Sequence, residues 1–395
     1  MSIILIMTLT IGCMLLVVYH HLLYPLLLKR LAKHMPVQPD KTNKRSYKRR
    51  KEDGHLPKVT VLVPACNEEN WIADKIRNLA SLDYPKSKLD VIVVCDGCTD
   101  STADVAKATI QEAICADVQF KIIEHRINQG KLSILNQMIP NLDCDLVALT
   151  DVSALISLDA LLIASEHFQN QKTGVVNSKY CMTSGSDSGE ATYWQYQNRI
   201  NLGESCLGAT LGAHGAFYII RQELFQPLRP DTINDDFVLP MEIVKQGYNI
   251  VYETDLIAVE QETTNLKDDF KRRVRISAGN MQQTLRLFSL FNPRRPAIAF
   301  AFFSGKGLRL LTPYLVMIEL CGCIYLREYT FFQTALLTQL LLIMLAGIVT
   351  LFRSRFKNKI SDALRCLLSG HAANLIGGLR YLSGSTDGRW KKVNQ

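Results

Sequence analysis

Two stretches decide the fold: KVTVLVPACNEE (Lys58–Glu69) and VIVVCDGCTD (Val91–Asp100). Each begins with an apolar, β-branched run and ends in polar residues, and the residues between them have helical periodicity. Further apolar runs follow at 120–124 and 146–150. Apolar strands that alternate with helices are typical of a mostly parallel sheet covered on both faces, whose ligands bind at the carboxyl ends of the strands. The pattern therefore predicts an α/β domain with its site in the loops after these strands.

The two ends of the chain are far more apolar than its middle. The segments Ile3–Leu28, Leu310–Leu326 and Phe331–Phe352 are each about long enough to cross a hydrocarbon core of ~30 Å. Lys and Arg follow the first and the last of them, which predicts that these ends lie in the cytosol and that the N-terminus lies outside. The predicted segments are a transmembrane signal anchor (1–28), a basic linker or interfacial segment (29–57), the α/β domain (58–290), an interfacial helix (291–309), a transmembrane hairpin (310–352) and a cytosolic amphipathic tail (353–395).

Charge and cysteine usage narrow the class of protein. The formal net charge is +8, but the basic residues cluster beside the apolar ends, which favours anionic lipid over nucleic acid as the partner. The eleven cysteines are scattered, and the pair Cys95 and Cys98 has no second pair at zinc-ligand spacing. We therefore expect buried thiols in a reducing cytosol and no zinc site.

Candidate binding residues follow the first two strands. The turn that contains Pro64, Ala65 and Glu68 leaves a backbone edge open to a flat base, although it can also be an ordinary strand-to-helix turn capped by Asn67. Asp96 lies at the end of the second strand, where its carboxylate can accept hydrogen bonds from a nucleoside.

Two further motifs suit phosphate and metal. NQGK (Asn128–Lys131) places a glycine and a lysine at a helix start, which suits a diphosphate, although Lys131 can equally be a surface residue. Asp151 follows the fourth strand and can bind a hard cation or cap a helix.

Later in the chain stand an acidic pair and a basic helix. Asp235 and Asp236 precede an apolar helix, where they are either N-terminal helix acids or a general base. In KRRVR (Lys271–Arg275), Arg272 and Arg275 share a helix face and can clamp a diphosphate, unless the face is merely solvated.

In this order, the six motifs resemble those of the family 2 glycosyltransferases with the GT-A fold, in its cellulose-synthase-like, exopolysaccharide membrane branch. The resemblance covers about Lys58 to Leu310. GAHGAFYIIR (Gly212–Arg221) resembles the acceptor-side stretch of that branch, and SGKGLR (Ser304–Arg309) resembles its interfacial helix. The fold that this implies is a Rossmann-like, mostly parallel sheet with membrane helices at both ends.

The resemblance also implies roles for individual residues. Asp236 would be the catalytic base, with Asp235 in place of the family's glutamate. Asp151 would be the first carboxylate of the D-x-D motif and would bind Mg²⁺ or Mn²⁺. His214 and Gly215 would lie on the acceptor side. A nucleotide sugar, expected to be a UDP-sugar, would contact the residues that match the donor motifs: Pro64, Ala65, Glu68, Asp96, Asn128, Lys131, Asp151, Arg272, Arg273 and Arg275.

Two departures from the family pattern matter most. Ser153 replaces the second aspartate of D-x-D, so the protein would supply fewer metal ligands. Ile276 replaces the tryptophan of the Q-[QR]-x-R-W motif, where Arg272 also replaces the glutamine. Loss of that ring weakens the expectation of a processive enzyme.

The expected function is inverting, metal-dependent transfer of a sugar to a lipid-linked or growing glycan, in polysaccharide or glycolipid synthesis at the cytosolic face of a bacterial inner membrane. One alternative is a processive polysaccharide synthase with its own channel, and another is a catalytically silent scaffold that binds nucleotide. A small transporter is disfavoured, because paired broken helices and internal repeats are missing from the sequence.

Overall fold

The computed structural model describes residues 3–34, 51–183, 188–262, 266–352, 355 and 358–385. Most of the predicted basic linker, together with Arg353, Lys357 and the end of the predicted tail, lies outside the described residues. The helices are α1 (Ile3–Val18), α2 (Tyr24–His34), α3 (Ile72–Ala80), α4 (Thr102–Thr109), α5 (Lys131–Met138), α6 (Ala160–His167), α7 (Ser188–Cys206), α8 (Asp235–Lys245), α9 (Leu266–Arg286), α10 (Pro296–Ala301), α11 (Leu308–Tyr325), α12 (Thr330–Leu351) and α13 (Lys359–Leu382). The strands are β1 (Val59–Ala65), β2 (Leu89–Asp96), β3 (Gln119–His125), β4 (Leu146–Thr150), β5 (Ala154–Ile156), β6 (Thr173–Met182), β7 (Phe217–Arg221) and β8 (Asn249–Glu260).

The chain divides into two compact units. The first, called the sheet unit, takes its described residues from 34–184 and 201–263. The second, called the helical unit, takes them from 1–33, 185–200 and 264–387. This division differs from the predicted bounds of the α/β domain, because α9 belongs to the helical unit.

The sheet unit contains an eight-stranded sheet in the order β3-β2-β1-β4-β7-β6-β8-β5. The four strands expected from the sequence are β1 to β4, and they pair in parallel. Val61, Leu62 and Val63 of β1 are fully buried. Alternate side chains of a strand point to opposite faces, so this burial shows that helices cover both faces of the sheet. The predicted α/β class is confirmed.

Strand direction determines which residues reach the site. Because β1, β2 and β4 are parallel, their carboxyl ends lie at one edge of the sheet. Strand β7 runs antiparallel to β4, with Phe217 opposite Thr150. The residues that precede β7 therefore reach the same edge, beside the loop that follows β4.

The helical unit contains three helices that are long and apolar enough to cross a membrane: Ile3–Leu31, Pro296–Tyr325 and Thr330–Leu351. This is the predicted arrangement of one N-terminal and two C-terminal spans. Helix α1 packs against α11, and α13 packs against α9. The segment expected to be a separate interfacial helix instead continues into α11. Gly305 and Lys306, which interrupt its apolar pattern, lie in a π-helical segment (Phe302–Gly307) that keeps the helix continuous.

Candidate active site

Asp96 organises the loop that follows β3. The residue is 2% exposed, and its carboxylate accepts hydrogen bonds from the backbone N–H of Gln129, at 3.0 Å, and of Gly130, at 2.7 Å. Nδ1 of His125 lies 3.3 Å from the same carboxylate. The aspartate predicted to contact a nucleoside therefore also fixes the start of the lysine-bearing helix α5.

A glycine lets the loops after β2 and β3 touch. Gly97 has φ 60°, and a Cβ at this position would lie 2.3 Å from the backbone nitrogen of Asn128. Asn128, predicted to bind the donor, uses its side-chain amide to donate to Sγ of Cys66 at 3.1 Å. This bond ties the loop after β3 to the loop after β1.

The turn after β1 is joined to the loop after β2. The backbone N–H of Glu68 donates to Oγ1 of Thr102 at 2.7 Å, and Oδ1 of Asn67 accepts from the backbone of Thr99 at 2.8 Å. The predicted donor residues Pro64 and Ala65 form the last two positions of β1, paired with β2. Pro64, Ala65, Glu68, Asp96 and Asn128 therefore share one edge of the sheet.

Lys131 links that edge to three carboxylates. Its Nζ lies 2.7 Å from Oδ1 of Asp151 and 3.9 Å from Oδ2 of Asp235. Burial lowers the pKa of Lys131, but the charges of Asp151, Asp235 and Asp236 outweigh burial and raise it above its ordinary value. The ammonium is therefore held in its charged form at the centre of an acidic cluster.

The charged side chains of this cluster come close together beside Gly215. A Cβ on Gly215 would lie 3.2 Å from Oδ2 of Asp151, 3.5 Å from Oδ2 of Asp236 and 3.7 Å from Nζ of Lys131. Residues that are distant in sequence thus bring two carboxylates and one ammonium to a single point. A side chain on Gly215 would occupy that point, so a glycine keeps it open.

His214 is held rigidly beside Gly215. Its ring stacks on Tyr180 with centroids 3.9 Å apart, and its backbone N–H donates to Oδ1 of Asn177 at 3.1 Å. Nδ1 of His214 accepts from the backbone N–H of Ala216 at 3.1 Å. Because Nδ1 is an acceptor, the hydrogen of the neutral ring is on Nε2.

Two buried polar atoms near the carboxylates have no hydrogen-bond partner among the described residues: Oη of Tyr218 and Oδ2 of Asp235. Burial raises the pKa of Tyr218, and the charges of Asp235, Asp236 and Asp151 raise it further. Buried polar atoms are normally paired with protein, water or ligand. The chain thus leaves hydrogen-bonding capacity at this site for a bound molecule.

Sequence reasoning missed Lys75 of α3, whose side chain is completely buried. Its Nζ donates to Oγ1 of Thr150 at 2.7 Å and to the carbonyl of Ala154 at 2.5 Å, across the loop that carries Asp151. Burial lowers the pKa of Lys75 to about 7, although Asp151 and Glu260 oppose this shift.

The sequence did contain a signal for this residue. Lys75 lies three residues after Ile72 and four before Leu79, on the apolar face of an amphipathic helix. A lysine on such a face must find acceptors inside the protein.

The predicted diphosphate clamp is not in the sheet unit. Arg272, Arg273 and Arg275 lie on α9, which belongs to the helical unit. Nε of Arg273 donates to Oδ2 of Asp269 at 2.7 Å, and its Nη1 lies 3.5 Å from Sγ of Cys366 in α13. Arg273 therefore helps to pack α9 against α13.

The carboxylate oxygens of this acidic cluster are suitable ligands for a divalent cation that also binds the phosphates of a substrate. Among the described residues, no group of three or more His, Cys, Asp or Glu side chains could hold a metal by itself. Mg²⁺, however, commonly binds through one or two carboxylates, substrate phosphates and water. Oδ2 of Asp151, which faces Gly215, meets that smaller requirement.

Several known proteins are similar to this chain. The beta-monoglucosyldiacylglycerol synthase of Nostoc sp. is 30% identical over 137 residues, which are 34% of this chain and 28% of that protein. The poly-beta-1,6-N-acetyl-D-glucosamine synthase of Staphylococcus aureus is 25% identical over 274 residues, 67% of this chain and 65% of that protein. The chain thus matches less than two thirds of the length of either relative.

A solved structure shows the fold. The mannosyltransferase PcManGT from Pyrobaculum calidifontis, in complex with GDP-Man and Mn²⁺, has a TM-score of 0.70 and 22% sequence identity, and the match covers 96% of this chain and 100% of that one. This likeness confirms the predicted GT-A fold. A family model described as glycosyltransferase-like family 2 matches residues 57–279. Because that match covers more than half of the chain, the protein belongs to glycosyltransferase-like family 2.

Proposed function

We propose that this protein is an inverting glycosyltransferase that moves a sugar from a nucleotide sugar, expected to be UDP-linked, to a membrane-associated glycan or glycolipid. The observation that carries the proposal is the convergence of Asp151, Asp236 and Lys131 at Gly215. A sugar transfer needs a base for the incoming hydroxyl and positive charge for the leaving diphosphate. Beside Gly215, Asp236 supplies the base and Lys131 supplies the positive charge.

Charge balance supports the use of a metal. In their usual ionised forms, Asp151, Asp235 and Asp236 carry three negative charges, against one positive charge on Lys131. A nucleoside diphosphate would add further negative charge to this place. When bound, Mg²⁺ or Mn²⁺ would supply the missing positive charge and stabilise the leaving diphosphate. Asp151 is the residue proposed to hold it.

In the proposed reaction, Asp236 accepts the proton of the acceptor hydroxyl while that oxygen bonds to the anomeric carbon. The bond from the anomeric carbon to the diphosphate breaks on the opposite face, and the diphosphate leaves with the electron pair. The configuration at this carbon is thereby inverted. Lys131, held charged by its acidic neighbours, stabilises the negative charge of the departing group.

Donor binding is assigned to the sheet edge formed by Pro64, Ala65, Glu68, Asp96 and Asn128. Its loops are already joined by the hydrogen bonds of Asp96 and Asn128, so this edge is ordered before a nucleotide arrives. Preorganisation lowers the entropic cost of binding. The arginines of α9 remain proposed contacts of the diphosphate.

The acceptor is assigned to the side of His214 and Gly215. The two relatives are named for a glycolipid product and for a polysaccharide product. Three helices are long and apolar enough to cross a membrane. A lipid-linked sugar or a growing glycan at the cytosolic face of the bacterial inner membrane fits both facts.

The test is a donor screen with the purified protein in nanodiscs. Release of nucleoside diphosphate is measured with UDP-, GDP- and dTDP-sugars, with Mg²⁺, with Mn²⁺ and with a chelator. We expect release from a UDP-sugar that depends on a divalent cation and stops when the cation is removed. Nucleotide binding without turnover under any condition would instead favour the silent scaffold.

Sizing of the product separates single addition from polymer synthesis. The staphylococcal relative is named as a polymer synthase, which keeps the processive alternative open. A single added sugar, even at high donor concentration, supports a glycolipid-type transferase. A ladder of long chains would establish the processive alternative.

A further inference from the structure

A second polar cluster lies in the helical unit. His20 and His21 belong to a π-helical segment (Tyr19–Leu23) of the first membrane helix, and His371 belongs to α13. The ring centroids of His20 and His21 are 4.8 Å apart, and those of His21 and His371 are 5.3 Å apart. The three imidazoles therefore form a continuous row. Together with Arg309 of α11, they are called the histidine cluster.

Two π-helical segments meet at this cluster. Oη of Tyr19 lies 2.8 Å from Oγ of Ser304, which belongs to the second such segment (Phe302–Gly307). Nδ1 of His20 lies 2.8 Å from the carbonyl oxygen of Ser304. Because a carbonyl oxygen only accepts, His20 donates through Nδ1. Isolated π-turns occur frequently at functional sites, and two of them contact each other at this serine.

The polar groups around the cluster are buried and hold Arg309 in place. Ser304 is fully buried, and His20 and Gln197 are 8% and 7% exposed. Nη2 of Arg309 donates to Oε1 of Gln197 at 2.8 Å, and the side-chain amide of Asn374 donates to the carbonyl of Arg309 at 3.2 Å. Gln197 thus positions the guanidinium, and Asn374 fixes the backbone of Arg309.

One ring nitrogen of His371 lacks a hydrogen-bond partner in the part of the chain that the structure describes. Its Nδ1 is buried and has no hydrogen-bond partner among the described residues. Burial lowers the pKa of His371 to about 4, and His21 and Arg309 lower it further. The positive charge of Arg309, and that of His21 when it is protonated, would be offset by an anion bound at this ring.

Phosphate suits both protonation states of His371. A phosphate oxygen accepts a hydrogen bond from a protonated ring, and a protonated phosphate donates to a neutral one. Arg309 supplies the planar donors that pair well with phosphate.

The position along the first membrane helix indicates where such a phosphate comes from. At ~1.5 Å per residue, the helix rises about 25 Å from Ile3 to His20, which is most of a hydrocarbon core of ~30 Å. Lys29, Arg30 and Lys33 follow within the next turns. With Ile3 at the outer edge of the core, the cluster would lie close to the opposite edge, within reach of the lipid phosphates on the basic side of the membrane.

We infer that the histidine cluster binds a phosphate group, with the phosphate of a membrane lipid as the expected source. This site is separate in sequence from the proposed catalytic residues, and its occupation does not depend on sugar transfer.

Binding is tested on the full chain in detergent by thermal unfolding and by native mass spectrometry. The probes are phosphatidic acid, diacylglycerol with the same acyl chains, and inorganic phosphate. Phosphatidic acid is expected to stabilise the protein and to remain bound, whereas diacylglycerol does neither. Arg309→Gln and His371→Phe should each weaken phosphatidic acid binding about tenfold or more, while Arg380→Gln, an exposed arginine on α13, should leave it unchanged.

Each variant is compared with its own lipid-free melting temperature, so a change in basal stability does not mimic a loss of binding. If Arg309→Gln does not fold, His371→Phe and His21→Phe give the same test with rings of similar size. Stabilisation by inorganic phosphate that equals stabilisation by phosphatidic acid would assign a soluble phosphate as the source. Equal binding of diacylglycerol and phosphatidic acid, or variants that bind like the unmodified protein, would overturn the proposal.

Discussion

The two polar clusters of this protein have opposite charge. In the sheet unit, three carboxylates surround one ammonium, that of Lys131. In the helical unit, three imidazoles lie beside the guanidinium of Arg309, and burial, followed by the charges of His21 and Arg309, lowers the pKa of His371. Each cluster also contains a buried polar atom without a partner among the described residues, on Tyr218 and on His371.

The comparison shows how charge selects a ligand. An acidic cluster that must accept a diphosphate needs a cation, so a divalent metal completes it. A partly buried basic cluster favours an anion, and the proposed source of that anion is the phosphate of a membrane lipid. The protein is therefore proposed to bind phosphate groups at two sites. At one site the positive charge comes from a divalent metal, and at the other it comes from an arginine.

The largest expected effect is at the acidic cluster. Asp236→Asn keeps the shape of the side chain but removes the proposed base, so turnover should fall by about 10²- to 10⁴-fold. Donor binding, measured by calorimetry, should change little. Asp117→Asn, an exposed aspartate in the sheet unit, is the matched control. Near-normal turnover of Asp236→Asn would show that Asp236 is not the catalytic base.

A smaller effect is expected from Gly215→Ala. The added methyl group would lie 3.2 Å from Asp151 and 3.5 Å from Asp236, where the reacting groups must meet. Turnover should fall by roughly tenfold to a hundredfold because the geometry is disturbed, and the melting temperature should change little. Gly54→Ala, whose methyl group meets nothing within 4 Å, is the control. Full activity of Gly215→Ala would show that substrate does not occupy this point.

Lys75 predicts a pH dependence of stability above neutral pH, whereas the lowered pKa of His371 acts in the same direction only between about pH 4 and 6.5. Its pKa falls from 10.5 to about 7 on folding, so between these values the unfolded state binds more protons and stability rises with pH. Lys75→Met removes this contribution. Its stability relative to the unmodified protein should therefore decrease from pH 7 to pH 10, by at most about 1.4 kcal/mol per pH unit. Lys121→Met, at an exposed site, should show no such trend in thermal unfolding.

The smallest effect concerns the buried hydroxyl of Tyr218. Because Oη has no partner among the described residues, Tyr218→Phe should leave the melting temperature unchanged or raise it slightly. If a bound substrate or its water pairs with Oη, the variant should bind donor or acceptor more weakly. A marked loss of stability without substrate would instead show that the hydroxyl is already paired in the folded protein.

The fold was predictable because its signals are local. The runs in β1, β2 and β4 are apolar on both faces and end in polar loops, a pattern that is typical of a covered parallel sheet. The membrane spans were predictable from length and apolar composition alone. The continuation of the segment from Pro296 into α11 was not, because Gly305 and Lys306 resemble a break in sequence and the π-turn depends on packing.

The candidate site was predictable only in part. Motif order indicated Asp96, Lys131, Asp151 and Asp236, but no spacing in the sequence indicates that Asp151 and Asp236 meet at Gly215. That convergence depends on the antiparallel pairing of β7 with β4. The backbone bonds accepted by Asp96 are likewise a result of tertiary structure. The histidine cluster depends on the packing of α1 and α13 around α11, which no local pattern encodes.

The most direct test of the account is a double-mutant cycle on Asp151 and Asp236. Turnover of Asp151→Asn, Asp236→Asn and the double variant is measured with the donor identified in the screen and with saturating Mn²⁺. Residues that act together on one bound substrate are strongly non-additive, so the double variant should be about as slow as the slower single variant. Losses that simply multiply would show that the two carboxylates act independently, and this result would contradict a shared catalytic centre at Gly215.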